Sequence, residues 1–227
     1  VVPVATRFNT DSITLKLRPT IGDAMWRYGF GIGFELGFQK DWDKLSIGGC
    51  YASRIWMQDY AAYEMDLVKH NLDLPQKLQV GLAWRVAPRW EVVADYKWTA
   101  WSETKLFGNK TIQNGLGWKD QSVYKLGVIW DVNDKWTLRA GTSFGKTPIQ
   151  DDFVFANAIS PALARVHFAA GFTYRINPNN ELHLSYTHVL PESMTENGKG
   201  DIFSKLTKGT RTAYGEDSLT VQYTYKF

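Results

Sequence analysis

The chain has 227 residues, a formal net charge of +3 and a mean hydropathy of −0.31, with 44% hydrophobic and 15% aromatic residues. No stretch approaches the roughly 20 consecutive apolar residues of a membrane-spanning helix, which excludes a helical membrane protein. The charge is too small to indicate a nucleic-acid partner, and the single cysteine, Cys50, excludes an internal disulfide framework.

Large apolar side chains alternate with small or polar ones along most of the chain, which is the period of a β-strand whose two faces meet different surroundings. In chain order, this pattern predicts ten strands, at residues 13–17, 28–38, 45–51, 78–86, 90–98, 124–130, 136–144, 166–176, 182–186 and 219–227. The apolar face of these strands holds no Asp, Glu, Lys or Arg, although 22% of all residues are charged. Because a charge at the middle of a bilayer costs about 2–4 kcal/mol, this face is expected to contact lipid.

The opposite face is polar, mixed in charge and rich in small residues, as expected for a wet lumen or one that holds a ligand or plug. A soluble all-β protein, with its apolar face inside, is the alternative. We therefore predict an all-β fold, an antiparallel transmembrane β-barrel that forms one domain over residues 1–227.

The connections alternate in length. Short turns fall at residues 40–44, 87–89, 132–135 and 177–180, and long connections near 58–76, 102–121, 146–165 and 191–216. Bacterial outer-membrane barrels have short periplasmic turns and long extracellular loops, so the sequence predicts this orientation, with residues 1–9 as a periplasmic segment. Aromatic residues near both ends of the strands predict two interfacial girdles.

Motifs for catalysis are missing from the sequence. The four histidines show no His-x-x-x-His spacing, and there is no Gly-x-Ser-x-Gly elbow. The glycines of the segment Gly29–Gly33 alternate along a predicted strand, which favours close packing over a dinucleotide-binding turn. His183 and Ser185 share the inner face and are expected to be a structural pair. We predict no enzymatic activity, no cofactor and no metal.

Several residues are candidates for binding an amphiphilic anion, which requires an apolar cleft and one or two cationic anchors. The predicted inward-facing cations are Arg139, Lys125, Arg175 and Arg85. Arg and Lys bind a carboxylate through charge-assisted hydrogen bonds. In the alternative interpretation, which we expect for most of these cations, they form ion pairs across strands with Asp95, Glu91, Glu35 and Asp131.

Two extracellular loops have unusual compositions. Phe153 and Phe155 belong to an apolar loop over residues 152–159, which either packs over the barrel mouth or makes the first contact with a hydrophobic substrate. Trp101 is expected to line the same vestibule, together with Leu116 and Trp118. The basic loop over residues 199–211 suits anionic lipopolysaccharide, or is simply a solvated loop.

A series of short segments indicates a protein family by the order and spacing in which they occur. They are Asp73–Trp84, Ala87–Trp90, Trp98–Ser102, Trp118–Gln121, Tyr124–Gly127, Trp136–Gly141, Lys146–Pro148, Pro161–Arg165, Gly171–Tyr174 and Leu184–His188. Together they resemble the FadL family of outer-membrane channels for long-chain fatty acids and hydrocarbons, and the match covers most of residues 28–227.

The resemblance implies a barrel of 14 strands with an N-terminal plug, of which this sequence would represent the C-terminal portion without the plug and first strands; a natural ten-stranded relative is the alternative. It further implies a passive channel in the outer membrane of a Gram-negative bacterium, which takes up long-chain fatty acids or other hydrophobic small molecules amid lipid and lipopolysaccharide. A scaffolding barrel, which anchors a partner protein in its lumen or at its periplasmic face, is the second hypothesis.

Overall fold

The computed structural model describes residues 2–6, 27–58, 72–113, 115–158 and 161–226. The strands of these residues are β1 (Val2–Thr6), β2 (Arg27–Ile32), β3 (Glu35–Asp41), β4 (Leu45–Ala52), β5 (Trp56–Met57), β6 (Lys77–Ala87), β7 (Trp90–Thr99), β8 (Gln121–Asp131), β9 (Trp136–Gly145), β10 (Val166–Asn177), β11 (Asn180–Thr195) and β12 (Arg211–Tyr225). The described helices are short: α1 (Lys105–Gly108), α2 (Ile202–Leu206) and single 3-10 turns at Trp101–Glu103, Thr111–Gln113 and Phe155–Asn157. Within the described ranges, no helix is long and apolar enough to cross a membrane.

Nine strands form one antiparallel sheet, in the order β3, β4, β6, β7, β8, β9, β10, β11, β12. Neighbours in the sheet follow one another along the chain, apart from the short β5, so short turns and long loops alternate as predicted. The two edges, β3 and β12, do not pair with each other among the described residues, and the described sheet is therefore open. Strands β1, β2 and β5 make a second, three-stranded sheet.

The two faces of the large sheet differ as the alternation predicts. Apolar side chains stand on the outer face, where Leu36 is 67% exposed, while Thr173 on the other face is only 2% exposed. Aromatic pairs lie at both ends of the strands: Trp90 stacks on Trp130 at 4.9 Å between ring centroids beside the short turns, and Tyr124 stacks on Phe144 at 5.5 Å towards the long loops. This is the arrangement of a membrane-spanning wall with interfacial girdles.

The long loops fold together over one end of the sheet. We call this region the loop cap, formed by residues 101–113, 115–120, 146–158, 161–165 and 196–210. Its centre is a cluster of Trp118, Ile149 and Leu163, with Leu163 only 1% exposed. Met194 and Tyr214, from the upper ends of β11 and β12, pack against the cluster and attach the cap to the sheet.

Two strand predictions are corrected at the ends of the chain. The strand predicted over residues 182–186 extends to Thr195, and its partner begins at Arg211, so the loop predicted over residues 191–216 is much shorter. Pro191 interrupts the sequence pattern at a β-bulge, where the pairing shifts between Val189 and Glu192. Above the bulge the outer face of β12 is no longer apolar, because that part of the strand has passed the hydrophobic band.

The strand predicted over residues 28–38 is also corrected, because it breaks into β2 and β3. At the break, the Ser53 side-chain hydroxyl accepts the Phe34 amide hydrogen at 2.9 Å, and the ladder shifts by one residue. The segment predicted as periplasmic over residues 1–9 contains β1, an edge strand paired with β2; an edge position tolerates Pro3, which obscured the strand pattern. The predicted strand over residues 13–17 and the terminal Phe227 lie outside the described residues.

Candidate functional site

The polar face of the large sheet carries the cavities of interest, and we call it the inner face. Strand pairing fixes which side chains meet there: Arg139 lies opposite Gly171, and Thr173 lies between Thr137 on one neighbouring strand and His183 on the other. Sequence alternation predicts the face of each residue, whereas only the register brings these residues together.

Arg139 borders a cavity of about 220 Å³ on this face. Small side chains surround it, because β9, β10 and β11 place Gly141, Ala169, Gly171 and Ser185 on the same wall. A side chain at Gly171 would collide with backbone, since its Cβ would lie 2.5 Å from the Leu184 carbonyl oxygen. Glycine therefore keeps the space beside the guanidinium open.

A chain of hydrogen bonds orients Arg139. Its Nη1 donates to the Thr173 hydroxyl at 2.7 Å, and that oxygen lies 2.9 Å from Nδ1 of His183. The Nε2 atom of His183 lies 3.1 Å from the Thr224 hydroxyl. A consistent assignment lets Thr173 donate to His183, and His183 donate to Thr224. The hydrogen bond to Thr173 fixes the direction of the guanidinium and uses only one of its N–H donors, so the other donors remain for a ligand.

The four predicted cations have different surroundings. Arg175 forms an ion pair with Glu181, with 3.7 Å between Nε and Oε1, and Lys226 contacts the same carboxylate at 2.6 Å. The other three cations, Arg139, Lys125 and Arg85, make no ion pair within the described ranges, even though Lys125 stands opposite Asp95 in the register and Arg85 opposite Glu91. Cross-strand pairing therefore accounts for Arg175 alone, and the binding role of all four stays a prediction.

A second cavity, of about 310 Å³, lies beneath the loop cap. Its walls are largely apolar, with Trp101, Trp118, Pro148 and Ala162 on the cap side, and Ser143, His167 and Arg165 provide polar groups. We call this cavity the vestibule. Apolar walls with few polar groups are typical of sites for small hydrophobic ligands.

Aromatic side chains build the roof of the vestibule. The rings of Trp101, Phe107 and Trp118 contact one another with centroids 4.8–4.9 Å apart. The indole N–H of Trp118 donates to the buried Asn157 side chain at 2.6 Å, and Asn157 donates to the backbone oxygens of Leu116 and Phe153. The buried indole N–H of Trp101 has no acceptor within the described residues. The roof is thus fixed by the packing of the three rings and by the hydrogen bonds of Asn157.

The structure separates the two phenylalanines of the apolar loop. Phe153 is buried with its ring over Gly117, where a Cβ would lie 2.6 Å from the ring. Gly117 also has a φ of 66°, a conformation that glycine adopts without strain. Phe155 is instead half exposed on the outside of the cap. Of the two predicted roles, packing over the barrel mouth therefore fits Phe153, whereas the side chain of Phe155 remains accessible to a ligand.

A row of small apolar residues lies between the vestibule and the Arg139 cavity. Across the strands it consists of Ala83, Val93, Gly127, Gly141 and Ala169, which the register places in one row. Ser143 lies on the vestibule side of this row and Arg139 on the other side, four residues apart on β9, or about 13 Å along the strand. On β9 and β10 the row contributes Gly141 and Ala169, so only small residues separate the vestibule from the Arg139 cavity along these two strands.

Sequence reasoning missed the residues that orient these groups. The alternation places Thr173 and His183 on the inner face, but nothing in the sequence shows that they form a hydrogen-bonded chain with Arg139. Asn157 and Glu196 lie in different loops, and their burial depends on how three loops fold together. A polar residue within an apolar loop segment, such as Asn157 after Phe153 and Phe155, is the only signal that the sequence offers.

Comparison with known proteins now decides the family. Residues 21–227 match the family described as outer membrane protein transport protein (OMPP1/FadL/TodX). The chain belongs to this family. The resemblance predicted from the sequence is confirmed, and so is the location in the outer membrane of a Gram-negative bacterium; the family is described as one of transport proteins, in agreement with the prediction that the protein is not an enzyme.

Individual relatives of the FadL family are similar at modest identity. A putative outer membrane protein of Neisseria meningitidis serogroup B is 25% identical over 241 residues, which cover 87% of this chain and 51% of that protein. The long-chain fatty acid transport protein of Escherichia coli K12 is 28% identical over 134 residues, which cover 56% of this chain and 29% of the relative. The chain spans about half the length of the first of these relatives.

The fold is shared with a solved member of the family. The Pseudomonas putida toluene transporter TodX matches with a TM-score of 0.64 at 18% identity, over 89% of this chain and 50% of that chain. This likeness confirms the antiparallel transmembrane β-barrel fold class for the open sheet described above.

Proposed function

We propose that the protein is a passive outer-membrane channel for hydrophobic small molecules and that long-chain fatty acids are its substrates. The observation that carries this proposal is Arg139, a cation without an ion-pair partner among the described residues, which only small residues separate from the vestibule along β9 and β10. A relative named as a long-chain fatty acid transport protein and a similar structure named as a toluene transporter support hydrophobic uptake in general.

The path of the substrate follows from the polarity of the inner face. The acyl chain leaves water for the aromatic roof of the vestibule, where burial of apolar surface yields about 25 cal/mol per Å². It then crosses the row of small residues at Gly141 and Ala169, and its carboxylate reaches the guanidinium of Arg139. Because no step consumes energy, net flux follows the concentration gradient.

The length and charge of the path favour a fatty acid over a monoaromatic hydrocarbon. About 13 Å separates Ser143 from Arg139 along the strand, a distance that suits an extended acyl chain better than a single ring. A neutral hydrocarbon has no group to compensate an unpaired guanidinium, whereas a carboxylate forms charge-assisted hydrogen bonds with it.

Arg139→Gln in the intact protein tests this proposal. We expect affinity for a fluorescent long-chain fatty acid to fall about tenfold to a hundredfold, which corresponds to the loss of one charge-assisted hydrogen-bonded contact of about 1.5–3 kcal/mol. Binding is measured by titration of the protein in lipid nanodiscs, and uptake by accumulation of the acid in cells that express each variant.

Arg89→Gln is the matched control, because this arginine lies at a short turn, where its Nη1 donates to the Val132 carbonyl oxygen at 2.7 Å. It is expected to bind and transport like the unmodified protein. Arg139→Lys should retain part of the affinity. Unchanged binding in Arg139→Gln would refute the carboxylate anchor, and uptake of a neutral aromatic with no uptake of the acid would assign the channel to hydrocarbons. Failure to transport either class would favour the scaffolding hypothesis.

A further inference from the structure

A larger cavity, of about 740 Å³, lies on the outer face of the sheet, at the end where the long loops begin. Its floor consists of outer-face side chains of three neighbouring strands, Tyr124 of β8, Phe144 of β9 and Val166 of β10, which the register places side by side. Charged residues form its rim: Asp120, Lys146, Arg165 and Glu192. We call this site the rim cavity.

Aromatic contacts give the floor of the rim cavity a fixed shape. The ring of Tyr124 stacks on Phe144 with 5.5 Å between centroids, and towards β7 it contacts Tyr96 at 5.1 Å. The Tyr96 hydroxyl lies 2.9 Å from the hydroxyl of Ser122, which is also part of the cavity wall. Tyr124 and Phe144 are nevertheless 48% and 44% exposed, so the floor presents apolar surface to its surroundings.

The floor lies at the edge of the lipid-facing band. Trp136 and Phe144 stand at opposite ends of the outer face of β9, eight residues or about 27 Å apart along the strand. Between them this face is apolar, with Leu138 and Ala140. Because aromatic girdles mark the two interfaces of an outer-membrane barrel, the floor belongs to the level of the acyl chains, and the charged rim beyond it belongs to the level of the headgroups.

Backbone hydrogen bonds bring the two cations of the rim together. The Gly145 amide donates to the Arg165 carbonyl oxygen at 2.9 Å, so the next residue, Lys146, stands close to Arg165 although they belong to different strand ends. The Lys146 carbonyl oxygen accepts a hydrogen bond from the Gln121 side-chain amide at 3.0 Å, which ties this segment to β8. Both cationic side chains are exposed, and the backbone that carries them is fixed.

The carboxylates of the rim are already engaged, whereas the cations keep donors for a ligand. Oδ1 of Asp120 accepts hydrogen bonds from the Ser102 amide at 3.0 Å and from the Ser102 hydroxyl at 2.7 Å. Glu192 forms an ion pair with Arg165, with 3.4 Å between Oε1 and Nη1, and this contact uses only one of the guanidinium donors. Lys146 forms no ion pair among the residues that the structure describes. The rim therefore offers Lys146 and the remaining donors of Arg165 to an anion.

The position and charge of the rim cavity together favour a lipid that carries phosphate. Phosphate forms charge-assisted hydrogen bonds with Lys and Arg, and basic pockets at a membrane interface bind anionic headgroups. An acyl chain of the same molecule can cover Tyr124 and Phe144, because both rings face the membrane and not the lumen. A soluble anion would leave this floor exposed, and a transported molecule would remain on the other face of the sheet.

The side of the membrane determines which phosphate-bearing lipid is present. The long loops begin at the rim cavity, and their length predicts that this end of the barrel is extracellular. The rim cavity therefore faces the outer leaflet, in which lipopolysaccharide supplies both phosphates and acyl chains.

We propose that the rim cavity binds lipopolysaccharide of the surrounding leaflet, with a phosphate at Lys146 and Arg165 and an acyl chain on Tyr124 and Phe144. This site lies on the outside of the barrel and does not depend on the proposed transport function. Gly145 and Arg165 also line the vestibule, so the bound lipid braces the vestibule wall from its membrane side.

K146Q/R165Q in the intact protein tests the phosphate contact. Binding of a fluorescently labelled lipopolysaccharide without O-antigen is titrated in non-ionic detergent. We expect the affinity to fall about tenfold to a hundredfold, because charge-assisted hydrogen bonds are lost. Glu192→Gln should retain the binding or tighten it, since it releases Arg165 for the phosphate.

K44Q/R89Q is the matched control, because it removes the same two charges at the short turns, where both residues are exposed. It is expected to bind like the unmodified protein, and hydrogen-exchange protection of β8–β10 shows that each variant keeps its fold. Unchanged affinity in K146Q/R165Q overturns the proposal, and so does an equal loss in Glu192→Gln, which would assign recognition of the headgroup to a carboxylate.

Two competitors distinguish lipopolysaccharide from other sources of phosphate. Neither phosphatidylglycerol at an equal concentration nor inorganic phosphate is expected to displace the labelled lipid. Displacement by phosphatidylglycerol would show a site for any phosphate-bearing lipid and overturn the choice of lipopolysaccharide. Displacement by inorganic phosphate would show that the aromatic floor takes no part in binding, and would overturn the proposal as well.

Discussion

The sheet and the loop cap place their apolar side chains in opposite positions. In the sheet, Leu36, Leu126 and Leu219 are exposed, while Thr137 and Thr173 are among the most buried residues. In the cap, Trp118, Ile149 and Leu163 form a closed apolar centre, as in any water-soluble domain. Apolar side chains therefore point outward in the sheet and inward in the cap. The reason is that lipid surrounds the outer face of the strands, whereas water surrounds the loops.

This difference explains why each region is held by different forces. Apolar burial against other side chains stabilises the cap, whereas the sheet depends on its backbone ladder and on the membrane to cover its outer face. Polar networks such as Arg139–Thr173–His183 lie on the inner face of the sheet, where a membrane cannot reach them. Three variants test this contrast, and they follow in order of decreasing effect.

Trp118→Ala should unfold the cap and spare the sheet. A large-to-small change at a buried aromatic residue costs about 3–5 kcal/mol, and here it also leaves Asn157 without its indole donor. Hydrogen exchange should show loss of protection over residues 146–158 and 196–210, with protection of β8–β11 retained. Trp42→Ala, at an exposed tryptophan beside a short turn, is the control. Loss of protection in the sheet as well would mean that the two regions unfold as one unit.

Leu126→Arg should destabilise the sheet and spare the cap. Leu126 stands on the outer face near mid-strand, where a charge costs about 2–4 kcal/mol in a bilayer. Denaturant titration of the protein in lipid vesicles measures the effect, and Leu126→Met is the conservative control. Thr220→Arg places the same charge on the inner face and should cost less than about 0.5 kcal/mol. Equal losses for Leu126→Arg and Thr220→Arg would contradict the assignment of the two faces.

Acid should loosen the connection between α2 and the Thr111–Gln113 turn. Burial raises the pKa of Asp201, but hydrogen bonds from Thr111, Ser204, Ile112 and Phe203 outweigh it and hold the pKa below the ordinary value of 3.8. A lowered pKa in the folded state means that this stabilisation is complete above pH 3.8 and is lost as the pH falls through the folded value.

Hydrogen exchange of residues 201–206, corrected for the intrinsic pH dependence, measures this loosening. Asp201→Asn should give the acid behaviour at neutral pH, while the centre of the cap around Leu163 keeps its protection. Constant protection of α2 from pH 7 to pH 2 would show that Asp201 does not control the connection.

Alternation alone predicted most strands of the large sheet within a few residues, because every membrane-spanning strand must show lipid an apolar face. The alternation did not predict the strands correctly where they no longer contact the lipid chains, or where a break depends on a residue outside the strand. Above Pro191 the strands leave the hydrophobic band, so β11 and β12 continue without the pattern. At Phe34 the strand breaks although its alternation continues, because the break depends on Ser53, which follows the end of β4.

The candidate site shows the same limit. The inward phase of Arg139, Lys125, Arg175 and Arg85 was predicted, but their pairing was not, since it depends on which residues the register and side-chain conformations bring within about 4 Å. Arg175 reaches Glu181, whereas Arg85 does not reach Glu91 despite standing opposite to it. For Phe153 and Phe155, the sequence offered two roles, and packing against Gly117 distinguishes them.

The fold class, the lipid-facing side of each strand and the membrane surroundings follow from the amino-acid sequence alone, because they depend on the period of side chains along each strand and on the cost of charge in lipid. The hydrogen-bonded chain at Arg139, the vestibule beneath the loop cap and the connection of α2 to the Thr111–Gln113 turn depend on the tertiary structure. Each of these joins residues that lie far apart along the chain, and a local pattern contains no information about the distance between them.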